Sequence, residues 1–260
     1  LVNDNFNFFN PKAGLTFDVN EKNALYFSYA RANREPNRTD YEGGNNVEPE
    51  KLNDYELGWR LKSKAIQINS NVYYMKYKDQ LVLTGELDDV GSPIRKNSGD
   101  SYRLGLEVDA TIKFAKLWSI SPNFTLSSSK NVDFISDASG SLVNLGNSNI
   151  AYSPDFIAGN VLTFAPLTAV RISLLSKYVG KQYMSNIDSV ESELESYFVN
   201  DLNLSYEIKT NSVFKSITLN VLANNIFDVD YVSNGYMWEI YPYYYPQAGA
   251  NVLAGAILKF

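Results

Sequence analysis

The sequence contains no histidine and no cysteine. Their absence removes the commonest general base, the commonest zinc ligands and every thiol nucleophile. It therefore excludes Ser-His-Asp and Cys-His catalysis as well as disulfide bonds. Acidic residues outnumber basic ones, giving a net charge of −6 and a pI of about 4.8. This balance argues against nucleic acid as a partner, because phosphates require a basic surface.

The sequence also lacks any run of about 18 to 20 apolar residues, which a transmembrane helix requires. Aromatic residues are abundant instead, with 19 Tyr, 14 Phe and 3 Trp among 260 residues. The mean hydropathy is nevertheless −0.25. A chain rich in apolar side chains that still averages polar must interleave the two kinds of residue, which is typical of half-buried strands.

About eleven segments alternate apolar and polar residues, and almost no stretch has helical periodicity. The clearest segment is 102–114. On one face it carries Leu104, Leu106, Val108, Ala110, Ile112 and Phe114, and on the other Arg103, Gly105, Glu107, Asp109, Thr111 and Lys113. One face is purely apolar and the other is charged, so this segment is predicted to be a strand between two different environments.

The connections between these segments alternate between short and long along the chain. Short ones are predicted at 20–23, 63–64, 115–117, 165–167 and 210–215, and long ones at 32–50, 79–99, 129–155, 182–196 and 225–250. In an up-and-down antiparallel sheet, short turns would then gather at one rim and long loops at the other. Outer-membrane β-barrels have this asymmetry. A soluble β-sandwich is the alternative, but the strands are long and lack Greek-key spacing.

Five segments resemble the C-terminal half of the barrel of TonB-dependent outer-membrane receptors: FFNPKAGLTFDV (8–19), NSGDSYRLGLEVDA (97–110), YVGKQYMSN (178–186), NVLANNIFDVDYVSNGY (220–236) and YYPQAGANVLAGAILKF (244–260). The first, followed by ANREPNRTDYEGG, is most similar to receptors of the Bacteroides group. The resemblance implies an all-β, up-and-down transmembrane barrel of 22 strands in the bacterial outer membrane. About eleven strands would lie in residues 1–260, and the first barrel half and an N-terminal plug would lie outside them.

Active uptake is the function that the resemblance implies, energised through the TonB complex, which would grip the plug region. The resemblance lies nearest to iron and siderophore receptors, so a ferric siderophore or similar iron chelate is expected as cargo. Haem is less attractive because its axial ligand is usually His. Cobalamin, oligosaccharide and a passive porin-like channel stay open as alternatives. An outer-membrane enzyme would need an unusual site, and no catalytic residue is indicated.

Three arginines in the predicted loop at 31–50 are candidate ligand contacts, namely Arg31, Arg34 and Arg38, with Tyr41 beside them. Guanidinium groups bind carboxylates and other anions bidentately, so these residues could receive an acidic or metal-chelate ligand. Equally, they could pair with the acidic neighbours Glu35 and Asp40 to hold the loop.

The densest aromatic cluster is a second candidate for ligand contact and contains Tyr236, Trp238, Tyr241, Tyr243 and Tyr244. Aromatic rings offer stacking faces to corrins, sugars or aromatic chelators. A strand extension that rises above the membrane is the structural alternative.

Acidic residues at two loop tips, Glu86, Asp88 and Asp89 in one and Asp188, Glu191, Glu193 and Glu195 in the other, could hold calcium. Their spacing matches no calcium loop, so we predict solvated charge that faces lipopolysaccharide, and neither a metal site nor a cofactor. The terminal Phe260 resembles the aromatic signal of barrel assembly, although packing in an aromatic girdle explains it as well. Outer-membrane lipid and lipopolysaccharide are the expected surroundings, and a surface lipoprotein is a further candidate partner.

Overall fold

The computed structural model describes residues 5–43, 47–87, 93–97, 99–136, 143–210, 213–238 and 240–260. Antiparallel strands dominate these residues, together with a short 3-10 helix, η1 (Arg38–Gly43). In chain order the strands are β1 (Lys12–Asn20), β2 (Asn23–Arg34), β3 (Glu50–Lys62), β4 (Ile66–Lys78), β5 (Leu81–Leu87), β6 (Pro93–Asn97), β7 (Asp100–Ala115), β8 (Trp118–Asn131), β9 (Ile135–Ser136), β10 (Val143–Asn144), β11 (Ser148–Asn149), β12 (Phe156–Leu167), β13 (Val170–Val179), β14 (Gln182–Tyr183), β15 (Glu193–Leu194), β16 (Tyr197–Lys209), β17 (Ser216–Asn224), β18 (Val232–Trp238), β19 (Tyr241–Pro246) and β20 (Asn251–Lys259).

Eleven of these strands form the wall of one antiparallel, up-and-down sheet, in the order β1-β2-β3-β4-β7-β8-β12-β13-β16-β17-β20. The short β11 pairs with β8 beyond this path. Among the described residues, β1 and β20 each have one neighbour in the sheet, so both edges are open. The predicted number of strands and their antiparallel, up-and-down order are confirmed.

The two faces of the wall differ as the alternation in 102–114 predicts. One row of directly paired residues crosses six neighbouring strands and is apolar throughout. It consists of Phe27, Leu57, Val72, Leu106, Leu126 and Phe156. The neighbouring row, on the other face, consists of Ser28, Glu56, Tyr73, Gly105 and Ser127. Because successive side chains of a strand point to opposite faces, the first row belongs to an apolar face and the second to a polar face. In the predicted barrel these would be the lipid face and the lumen face.

The short turns lie at one rim, as predicted, but one boundary is wrong. We expect a link at 165–167, whereas β12 runs to Leu167 and the turn is at Thr168 and Ala169. Pro166 suggests a turn, but it sits at an irregularity of the ladder between Phe164 and Leu167. Proline is tolerated there because an irregular position requires no ladder hydrogen bond from its nitrogen.

The first long loop is also shorter than predicted. β2 continues to Arg34 and β3 begins at Glu50, and these two residues of opposite charge are paired at the end of the ladder. Arg31 and Arg34 are therefore strand residues, and only Arg38 lies in the connection, within η1. Favourable cross-strand pairing explains why the strands extend into a polar segment.

Asn225 allows the chain to leave β17. Its φ of 47° is left-handed, a conformation that asparagine tolerates better than most residues. The side-chain amide donates to the carbonyl oxygen of Val229 at 2.9 Å, and the Asn225 backbone amide donates to Asp201 Oδ1 at 2.7 Å. Asn225 thus has a local structural role at the end of β17, which is typical of asparagine in turns.

The buried apolar core of the described residues lies in the long connections and not between layers of the wall. Met184 is fully buried and packs with Leu194 and Met237, while Tyr152 and Val232 cover them. The long connections therefore form a small packed body of their own at one rim of the sheet.

No helix among the described residues has the length and hydropathy to cross a membrane.

Candidate functional site

Three of the long connections are fastened to each other at Tyr152. Its phenol donates a hydrogen bond to the carbonyl oxygen of Gly235 at 2.8 Å. Its backbone amide donates a hydrogen bond to the carbonyl oxygen of Tyr183, also at 2.8 Å. A Cβ atom at Gly235 would approach the sulfur of Met184 to 2.6 Å, so only glycine permits this packing. Burial, assisted by nearby Tyr245, raises the pKa of the Tyr152 phenol above its usual value, which keeps the phenol a donor.

Asn186 provides a second fastening and is almost fully buried. Its Oδ1 accepts hydrogen bonds from the Ala151 amide at 3.0 Å and from Asn131 Nδ2 at 3.2 Å. Nearby, Asp188 accepts from the backbone and side-chain amides of Asn149 at 2.9 and 2.8 Å. The connections at 129–155 and 182–196 therefore form one fixed platform.

The predicted arginines occupy different surroundings. Arg31 is an odd-numbered residue of β2, on the same face as Phe27, whereas Arg34 is on the lumen face. Arg34 lies 3.8 Å from carboxylate oxygens of both Asp40 and Glu50, which is the loop-holding arrangement that the sequence leaves open. Arg38 is exposed in η1.

Asp40 anchors η1 from inside. Its carboxylate has no solvent exposure, and its Oδ2 accepts a hydrogen bond from the Asn37 backbone amide at 2.9 Å. Glu50 accepts from the Leu81 amide at 3.0 Å and so fixes the start of β5 to the same cluster. Tyr41 is half-buried beside Asp40 in η1. These contacts make the arginine-containing connection part of the platform.

The predicted aromatic cluster is a hairpin of β18 and β19. Tyr236 stacks on Tyr243 with ring centroids 5.1 Å apart and lies 5.9 Å from Tyr245. Cross-strand pairing also joins Trp238 to Tyr241 on this face. Tyr244 pairs with Gly235 and therefore belongs to the opposite face. The hairpin thus presents most of the predicted rings together, largely exposed.

A groove of about 400 Å³ lies on the other side of this hairpin. Its lining includes Tyr231, Tyr244, Glu195 and Asp230, so it combines rings with carboxylates. At its margin Glu193 accepts a 3.1 Å hydrogen bond from Lys181, and this contact raises the pKa of the lysine ammonium. The sequence pattern predicts a role for Tyr244 but gives no indication of the groove.

The structure links the arginine and aromatic groups through one connection. η1 packs against β6, β6 pairs with β5, and β5 contacts β18. The two groups therefore flank the same pair of strands without belonging to one contact cluster. Arg95 belongs to β6, which lies between the two groups in the fold. The sequence pattern does not predict Arg95 as a site residue.

The acidic loop tips form no metal cluster within the described part of the chain. Asp88, Asp89 and the side chain of Glu86 lie outside the described residues. Phe260 is 71% exposed, and its ring centroid is 5.0 Å from that of Phe214. Its predicted role in assembly stays a prediction.

Comparison with known proteins identifies the family. Residues 2–226 match the family model described as TonB dependent receptor-like, beta-barrel. The catecholate siderophore receptor Fiu of Escherichia coli K12 is 22% identical over 250 residues, covering 88% of this chain and 30% of Fiu. The pesticin receptor of Yersinia enterocolitica is 26% identical over 191 residues, covering 72% of this chain and 26% of the receptor.

Among solved structures, the siderophore receptor PiuA from Acinetobacter baumannii aligns with a TM-score of 0.71 at 20% identity, over 94% of this chain and 35% of PiuA. At this identity the likeness establishes the fold alone. The chain spans about a third or less of the length of each of these proteins. The family match covers most of the chain, and members of this family are bacterial outer-membrane proteins. The chain therefore belongs to the TonB-dependent receptor-like β-barrel family and resides in the bacterial outer membrane.

Proposed function

We propose that the complete protein containing this chain is an active importer of a ferric siderophore or a similar iron chelate. The observation that carries the proposal is the family match over residues 2–226. The relatives Fiu and PiuA, whose names describe them as siderophore receptors, support iron chelates as the cargo. The relatives are receptors and not enzymes, so catalysis is no part of the proposal.

In this proposal the eleven-stranded wall is one half of a 22-stranded barrel. The open edges of β1 and β20 support this arrangement, since each offers backbone groups to a further strand. The remaining strands, and a plug that the TonB complex engages, would come from other parts of the protein. Energy from TonB would then displace the plug and release the cargo inward.

The long-loop rim is the proposed place of cargo capture. Arg34, Arg38 and Tyr41 would contribute anion contacts at one side of the connection 79–99, and the rings of the β18–β19 hairpin would contribute apolar surface at the other. Arg31 would contribute from the face of β2 that it shares with Phe27. The fixed platform beneath them favours binding, because groups that are already ordered lose little conformational entropy when a ligand arrives. Outer-membrane lipid and lipopolysaccharide would surround this rim, and a surface lipoprotein is a further candidate partner.

The test is uptake of radioactive iron by cells that produce the complete protein. We expect accumulation of iron from a ferric catecholate in cells with TonB, and none in TonB-deficient cells or in cells without the receptor. Equal uptake with and without TonB would instead indicate a passive channel. Labelled cobalamin and oligosaccharide, supplied in parallel, would reveal a different cargo if they accumulate and the iron does not.

A further inference from the structure

We infer that Arg95 and Arg103 together bind an oxyanion of carboxylate or phosphate size in a cavity at the long-loop rim. The cavity has a volume of about 150 Å³. Its lining consists of Gln80, Leu81, Val82, Arg95, Arg103, Ile150, Ala151 and Asn186. Two guanidinium groups thus share one small space, and the described residues that line it include no carboxylate. The inference depends on the proposed function only if the bound anion is part of the imported cargo.

The cavity is part of the packed platform and not a depression in a loose surface. Its apolar wall is formed by Leu81, Val82 and Ile150, all of them buried. Its polar wall is held in place as well, because the buried Gln80 accepts a hydrogen bond from Ser101 and Asn186 accepts one from the Ala151 amide. Residues from three long connections and from β7 therefore define its shape.

Arg103 is positioned by neutral partners. Its Nη1 donates to Ser153 Oγ at 2.8 Å and lies 3.4 Å from Ser129 Oγ. Hydroxyl groups orient a guanidinium without neutralising its charge.

Arg95 is half-buried on the other side, and no salt bridge to Arg95 or Arg103 occurs among the described residues. Glu50 contacts Arg34 and accepts a hydrogen bond from the amide of Leu81, which itself lines the cavity. Two guanidinium groups that share one small space repel each other, and no described residue of the lining supplies a carboxylate to offset this repulsion. An anion between them would relieve the repulsion, which makes it the expected occupant.

Geometry and size limit the anion. A guanidinium presents paired donors that match the oxygens of carboxylate and phosphate groups. Whole ligands generally occupy pockets of roughly 300 to 1,000 Å³, so this cavity is too small for a complete chelate. It would accept either a free inorganic oxyanion or one anionic arm of a larger ligand that rests on the rim.

The experiment is isothermal titration calorimetry on the complete protein in detergent, with sodium phosphate and sodium citrate as separate probes at constant ionic strength. We expect at least one probe to bind, and Arg95→Gln to weaken its binding at least tenfold. Arg171→Gln is the matched control, because Arg171 is the second residue of β13, at the opposite rim, and this change should alter the affinity less than twofold.

The two probes separate the sources of the anion. Binding of phosphate that depends on Arg95 assigns the cavity to a free inorganic oxyanion, and binding of citrate that depends on Arg95 assigns it to a carboxylate arm. Either result supports the site. The inference is overturned if neither probe binds, or if Arg95→Gln leaves the affinity unchanged.

Arg103→Gln should weaken binding in the same way, and Arg103→Lys, which keeps the charge, should restore part of it. Loss of the Ser153 contact could prevent folding of the Arg103 variants. In that case Arg95→Gln alone tests the site, because this change removes no hydrogen bond or ion pair found among the described residues. Neither probe contains iron, so anion binding and iron uptake can fail independently. A protein that binds the anion but imports no iron retains this site and refutes the proposed function.

Discussion

Tyr152 and Gly235 are separated by 83 residues in the sequence, yet the Tyr152 phenol donates a 2.8 Å hydrogen bond to the Gly235 carbonyl oxygen. This bond joins the connection after β8 to the β18–β19 hairpin. The same hairpin covers Met184, from the connection after β13. One residue, Tyr152, therefore fastens together three connections that are far apart in the sequence, through its phenol and its backbone amide.

Replacement of Tyr152 by Phe should loosen the platform and leave the wall intact. The Gly235 carbonyl group would lose its phenol partner, and the expected loss of stability is about 0.5 to 1.5 kcal/mol. Hydrogen exchange of the amides in 182–196 and 232–246 should accelerate, and that of the wall strands should not. Tyr178→Phe is the control, because no hydrogen bond of the Tyr178 phenol occurs among the described residues. Equal exchange in Tyr152→Phe and the original protein would contradict the fastening role.

The Tyr152 contact should also give the platform a dependence on alkaline pH. Burial raises the folded-state pKa of this phenol above the unfolded value of about 10. Its contribution is therefore complete below pH 10 and is lost as the pH rises through the folded-state pKa. Exchange in the platform should accelerate through this range in the original protein more than in Tyr152→Phe. Parallel pH profiles in the two proteins would show that another group is responsible.

Gly58→Ala should be much more destabilising than Gly255→Ala. A methyl group at Gly58 would overlap the ring of Tyr26, above which the Arg60 guanidinium carbon lies 4.5 Å from the ring centroid. Gly58→Ala should cost about 1 to 3 kcal/mol, as overpacking does. At Gly255 no atom of the described residues lies within 4 Å of the added carbon, so Gly255→Ala should cost little. Denaturant unfolding of the complete protein in detergent measures both, and removal of the ring in Tyr26→Ala should relieve the penalty at Gly58.

The two faces of β7 should differ in their tolerance of charge. Leu106 belongs to the apolar row, and Glu107 belongs to the lumen face. Leu106→Arg should destabilise the barrel by about 2 to 4 kcal/mol if the residue is near the bilayer midplane, whereas Glu107→Gln should have little effect. Folding into lipid bilayers with urea titration measures the difference. The reverse order would mean that the assignment of lipid and lumen faces is inverted.

Variants of Arg34 and Arg38 can distinguish a role in holding the loop from a role in binding the ligand. Arg38 is exposed in η1, so Arg38→Ala should weaken binding of the cargo at least tenfold and leave stability unchanged. Arg34→Ala should also release Asp40 and Glu50, at a cost of about 1 kcal/mol. Ligand affinity and thermal stability of the complete protein are measured together. If both variants bind normally, the arginines serve the loop alone.

The wall could be predicted from the sequence because membrane and lumen impose a period of two on every strand. The alternation in 102–114 alone specifies which side of β7 is apolar, and Asn225 marks a strand end through its own conformational preference. Pro166 misleads because proline at an irregular strand position and proline at a turn have the same appearance in a sequence.

The site was less accessible to prediction because it depends on contacts between distant segments. The aromatic hairpin is visible locally, since its rings are close in sequence. The burial of Asp40, the contact of Met184 with Gly235 and the shared cavity of Arg95 and Arg103 depend on how separate connections pack. No local pattern encodes that packing.

The open edges of β1 and β20 have a consequence for handling this segment of the protein by itself. Each edge presents nine residues whose outward backbone donors and acceptors lack a strand partner among the described residues. Such edges act as templates for other strands, and Leu15, Phe17, Val252 and Leu258 add exposed apolar side chains. Residues 1–260 produced in isolation should therefore self-associate edge to edge, and the further strands of the proposed complete barrel should suppress this association.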